Sequence, residues 1–83
     1  VKRGAWPENL VETICREIAV RRKELGMSVY ALSQASGVSQ QAIANYEKLV
    51  RRPSLDCLLK VARGLGLAPS ELLARAEAKV RGR

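Results

Sequence analysis

Apolar residues in the first third of the chain recur at helical spacing. Leu10, Ile14, Ile18 and Leu25 share one side, and Val11 and Cys15 widen it. That period predicts a helix over 8–25, with Pro7 at or just before its first turn and Gly26 placed as a left-handed C-terminal cap. A serine just ahead of an apolar-periodic stretch is a start signal, because its hydroxyl can take an otherwise orphaned N–H. Ser28 precedes such a stretch over 29–36, Ser39 one over 40–48, and Ser54 one that ends near Leu65. Gly37 and Gly66 stop the second and fourth helices, and Asp56 suits the positive end of the fourth helix dipole. Ala68-Pro69-Ser70-Glu71 then opens a fifth helix to about Lys79. No interval remains for a strand of useful length. The expectation is an all-α chain: one compact five-helix bundle over 8–79, with a basic arm at 1–7 and a basic tail at 80–83.

Isolated helices below ~12–15 residues are marginal in water, so packing has to hold these together. The residues expected to converge inside are Leu32, Val38, Ile43, Leu55, Leu58, Leu59, Val61, Ala62, Leu65, Leu72 and Leu73. Aromatics are limited to Trp6, Tyr30 and Tyr46, so the core should be aliphatic.

The segment 28–47, SVYALSQASGVSQQAIANYE, carries the most information. Two short helices joined by a tight glycine turn make a helix-turn-helix, in which one helix braces while the next enters the major groove of DNA. Gly37 supplies the residue tolerant of positive φ that the turn needs, and Ser33 is the small residue expected where the two helices cross. With Val38, Ile43 and Tyr46 facing inward, Gln40, Gln41, Ala44 and Asn45 face outward, and Lys48 lies one turn further. Asn and Gln amides can pair bidentately with adenine N6 and N7, each good pair giving ~1–3 kcal/mol of discrimination, and a small Ala44 allows close approach. Phosphate contacts are expected from Ser28, Ser39, Lys48, Arg51 and Arg52, with backbone N–H groups at the helix starts. The alternative for each is an ordinary solvated side chain.

Composition narrows the function classes. Fifteen Lys and Arg against eight Asp and Glu give a net charge of +7 over 83 residues, which favours a polyanionic partner, although basicity also serves solubility. The chain has no His, and Cys15 and Cys57 lack CxxC spacing, so no zinc site, other metal or cofactor is expected. Both cysteines are expected to act as small hydrophobes in a reducing compartment. Nothing assembles a nucleophile–base pair or a paired-acid site, so an enzyme is not expected. No apolar run approaches ~18 residues and no signal-peptide pattern precedes the helices, which points to a cytoplasmic chain without a membrane partner.

The runs ELGMSVYALSQASGVSQQAIANYEK and RRPSLDCLLKVARGLGLAPSELL, within about 14–73, resemble the phage-repressor and Cro-type helix-turn-helix family, also called the xenobiotic-response-element family. The resemblance implies a lambda-repressor-like five-helix bundle that binds a double-stranded DNA operator as a transcriptional repressor, usually as a homodimer on an inverted repeat. It implies base contacts at Gln40, Gln41 and Asn45, and an Arg22–Glu47 ion pair tying the first helix to the third. The fifth helix or the segment around Trp6 could supply a dimer interface, and Lys2 and Arg3 form a basic arm or a plain tail. The alternative is an interaction module: an antitoxin-like subunit with a toxin as partner, or an adaptor. Two departures stand out. Val29 occupies a position where the family usually has a phosphate-contacting Gln, and Leu49 one where it usually has Gly. A left-handed Leu costs roughly 1–2 kcal/mol, so the third helix is expected to run on or its exit loop to be rebuilt.

Overall fold

A computed structural model describes residues 9–81. They form five α-helices and no strand: α1 (Leu10–Glu24), α2 (Val29–Ser36), α3 (Gln40–Glu47), α4 (Leu55–Gly64) and α5 (Pro69–Arg81). The expected arm, with Lys2, Arg3, Trp6 and Pro7, lies outside the described residues. At the other end α5 continues through Val80 and Arg81, the first two residues of the expected tail.

Side-chain caps fix where three helices start. The hydroxyls of Ser28, Ser39 and Ser54 accept from the N–H groups of Ala31, Ala42 and Cys57 at 3.0, 3.1 and 3.1 Å. Each such cap contributes typically ~1 kcal/mol. The Glu71 carboxylate accepts from the Ala68 N–H at 2.7 Å and so serves the start of α5.

The core lies where all five helices meet. Ile18, Leu32, Ile43, Val61, Ala62, Leu65 and Leu72 are inaccessible to solvent, with Val38 and Tyr46 beside them. Three leucines expected inside are not: Leu55, Leu59 and Leu73 are exposed. On α4 the inward stripe is taken by Val61, Ala62 and Leu65, with Cys57 and Leu58 half-buried, while Leu55 and Leu59 flank that stripe one turn apart. On α5 the buried residues are Leu72 and Ala76, which leaves Leu73 on an outer side. Short helices cover a narrower stripe than an apolar period can offer.

α1 departs from expectation in the same sense. Val11 and Leu25 are exposed, whereas Thr13 and Glu17 are buried beside Ile14, Cys15 and Ile18. Its packed side is turned toward α5, where a polar cluster joins the apolar core contact of Ile18 and Leu72. The Glu17 carboxylate, 1% exposed, takes a hydrogen bond from Arg75 Nε at 3.2 Å and another from Lys79 Nζ. Arg75 also reaches Glu24 at 2.8 Å, and Arg21 Nε donates to the Leu65 carbonyl at the end of α4 at 3.1 Å.

α2 packs against α4 at a point of close backbone approach. A Cβ on Gly64 would stand 2.9 Å from Ser36 Cβ and 3.0 Å from Leu32 Cδ1, closer than carbon atoms tolerate. Ser36 is buried there, and its hydroxyl accepts from the Val38 N–H at 3.1 Å, steadying the turn into α3. Ser33, expected at the helix crossing, is half-buried. No helix among the described residues is long and apolar enough to cross a membrane.

Candidate nucleic-acid interface

The placement of α3 begins with the turn before it. Gly37, at φ 78°, closes α2 by donating to the Ser33 carbonyl, and Ser39 then caps α3. Ile43 and Tyr46 are driven into the core, with Ala42 packed against it. At 3.6 residues per turn this leaves Gln40, Gln41, Ala44, Asn45 and Lys48 on the outward side. Gln40, Gln41 and Lys48 are exposed, and Ala44 and Asn45 are half-buried between them. One contact organises this face: Gln41 Nε2 donates to Asn45 Oδ1 at 3.1 Å, one helical turn along.

Two interactions hold the inner side of α3. Arg22 of α1 forms a bidentate pair with Glu47, Nε to Oε2 at 2.8 Å and NH2 to Oε1 at 2.9 Å. Its remaining NH1 donates to the Met27 carbonyl at 2.8 Å, so one guanidinium ties α1 to α3 and to the loop leading into α2. Fork-to-fork geometry of this kind fixes orientation as well as distance. The hydrogen bonds to Glu47 hold the Arg22 pKa above its ordinary value. At the residue just before Glu47, burial pushes the Tyr46 phenol up to about 12, helped by its hydrogen bond to the Cys57 sulfur at the start of α4. Hydroxyl donation from Ser54 and Tyr46 in turn lowers the Cys57 thiol. The sequence offered no cue to this Tyr46–Cys57 link, because the two residues lie on different helices.

The exit from α3 corrects an expectation. The helix neither runs on nor is its loop rebuilt: it stops at Glu47, Lys48 is its C-cap, and Leu49 takes φ 62°. The Leu49 N–H donates to the Tyr46 carbonyl at 3.1 Å and the Val50 N–H to the Asn45 carbonyl at 2.9 Å, the bond pair of a Schellman motif. α1 and α4 end in the same way, with Gly26 and Gly66 at the left-handed position. At the end of α3 the closing bonds therefore outweigh the strain. Beyond it Arg51 and Arg52 are exposed, and Arg52 lines a small pocket of about 80 Å³ with Val11, Glu12, Cys15 and Leu49. Lys48, Arg51 and Arg52 make no ion pair among the described residues.

Of the remaining expected contacts, Ser28 and Ser39 are exposed, with their hydroxyls engaged as caps. Val29 turns toward the core and packs on its edge, which accounts for an apolar side chain at that position.

A capped bracing helix, a glycine turn and a second helix with an amide face are the parts of a helix-turn-helix. A helix-turn-helix family model matches residues 18–72, which include α2, α3 and α4 entire. The chain belongs to this helix-turn-helix family. Over 58 residues, 70% of its length, it is 40% identical to an uncharacterized HTH-type transcriptional regulator of Haemophilus influenzae, and it spans 59% of that relative. Its fold is similar to that of the restriction-modification controller protein C.Esp1396I, with a TM-score of 0.84 at 18% identity over 93% of this chain and 100% of that one. The restriction-modification controller protein C.AhdI of Aeromonas hydrophila aligns with a TM-score of 0.70 at 29% identity, covering 80% of this chain and 98% of that one. All the candidate base- and phosphate-contacting residues lie within the span matched by the helix-turn-helix family.

Proposed function

We propose that this chain is a transcriptional repressor that binds a double-stranded DNA operator sequence-specifically, laying the outward face of α3 in the major groove. The observation that carries this reading is a division of labour around α3. Its outer face is amide and methyl, from Gln40, Gln41, Asn45 and Ala44, while the cations Lys48, Arg51 and Arg52 gather where the helix ends. Base edges are read by amides and phosphates are held by cations, so the two chemistries sit where a groove and its flanking backbone would need them. The hydroxyls of Ser28 and Ser39 mark helix N-termini whose N–H groups suit phosphate. The helix-turn-helix relative described as a transcriptional regulator and the controller-protein folds support the same reading.

Tight binding would use two copies on an inverted repeat. The exposed Leu59 of α4 lines a groove with Leu67, Pro69, Asp56, Lys60 and Arg63, and the exposed Leu55 lies one turn before it on the same helix. A two-fold axis through this surface would cover the leucines and bring Asp56 of one copy toward Lys60 and Arg63 of the other. The DNA reading is tested by binding measured against salt concentration. Arg51→Ala should weaken all sequences alike and flatten the log–log salt slope by about 0.9, the share of one neutralised phosphate. A slope that does not move removes Arg51 from the interface.

A further inference from the structure

The hydrogen bond from Gln41 Nε2 to Asn45 Oδ1, 3.1 Å long, changes what Gln41 can recognise. A primary amide carries two N–H donors and one carbonyl acceptor. Unencumbered, it can address guanine by giving both hydrogens to N7 and O6, or adenine by giving one hydrogen to N7 and accepting from N6. With one hydrogen committed to Asn45, a single donor and the Oε1 acceptor remain. That is the complement of adenine. Guanine would meet one donor too few and an oxygen opposite its O6. Turning over the Gln41 amide alone would place Oε1 against the Asn45 Oδ1. From this geometry we infer that Gln41 and Asn45 act as one unit reading a single adenine, in which Asn45 is a positioning residue that excludes guanine. The inference rests on the DNA-binding reading above.

Asn45 can be changed without disturbing the exit from α3. Its carbonyl, and not its side chain, accepts the Val50 and Arg51 N–H groups at 2.9 and 3.3 Å. Binding sites are selected from random-sequence DNA by the wild type, Gln41→Ala, Asn45→Ala and Asn45→Asp, with each variant's folding checked by thermal denaturation. At the position that Gln41→Ala relaxes, the wild type should favour adenine over guanine by roughly 10-fold or more. Asn45→Ala should act at that same position, returning the second hydrogen to Gln41 and bringing guanine to within about threefold of adenine. Asn45→Asp keeps an acceptor for Gln41, so it should weaken binding to all sequences yet preserve the preference for adenine. A change at a different position in Asn45→Ala, no change in that variant, or guanine favoured by the wild type overturns the inference and leaves the DNA-binding reading standing. Absence of DNA binding by every protein, all of them folded, overturns both.

Discussion

Leu49 holds a φ of 62° at the one Schellman exit of three where glycine is absent, and the cost is borne by a residue still 39% exposed. Leu49→Gly should relieve it. A left-handed Leu costs roughly 1–2 kcal/mol and a glycine gives back about half of that through chain entropy, so a net gain of about 0.5–1 kcal/mol is expected in urea unfolding. A decrease in stability would mean that the packing of Leu49 over the Cys15 pocket outweighs its strain. Tyr46 sets a second expectation at this scale. Below pH 10 its phenol is protonated in folded and unfolded chains alike. Between pH 10 and 12 the unfolded chain releases the proton while the folded one, with the phenol pushed up to about 12, retains it. Stability should therefore fall as pH rises through that window, by about 2–3 kcal/mol at its upper end. The difference between wild type and Tyr46→Phe isolates this contribution, and equal slopes for the two would contradict it.

Among the elements, α5 is attached in a way that apolar periodicity does not report. Glu17 is buried, but its partners Arg75 and Lys79 are 31% and 44% exposed at the side chain. The two sides of the contact should respond unequally to substitution. Removing both cations leaves a buried carboxylate without compensation and should cost about 3–5 kcal/mol, whereas Glu17→Met lets the cations rehydrate and should stay within about 1 kcal/mol of wild type. Chemical denaturation of the two variants distinguishes them, and equal destabilisation would contradict the burial argument. The same ion pairing marks the limit of what the sequence disclosed. Caps at Ser28, Ser39 and Ser54 and stops at Gly26, Gly37 and Gly66 are local chemistry, so all five helices were legible within a few residues. Which flank of an apolar stripe finds a neighbour depends on helices distant in the chain. Leu55, Leu59 and Leu73 therefore went to the surface, while Glu17 and Ser36 went inside. The outward set on α3 was legible because Ile43 and Tyr46 leave the helix only one way to face. The Gln41–Asn45 bond was not, since spacing permits it without requiring it.

Over the whole molecule, the net charge of +7 is spread unevenly, with the α3 face carrying amides rather than cations. Several cations are engaged internally, Arg22 with Glu47 and Arg75 and Lys79 with Glu17, while Lys48, Arg51 and Arg52 gather at the α3 exit. In the proposed reading, general attraction for polyanions and discrimination among sequences belong to different residues. The exposed leucines of α4 lie on a different helix from these cations, where the proposed second copy would cover them. Selection of bound duplexes from a random pool by the wild-type protein examines the central claim most directly. It should enrich an inverted repeat whose half-sites lie about one helical turn, 10–10.5 base pairs, apart, each containing an adenine that Gln41→Ala no longer requires. Recovery of DNA without any enriched sequence, bound as tightly as the starting pool, would contradict it.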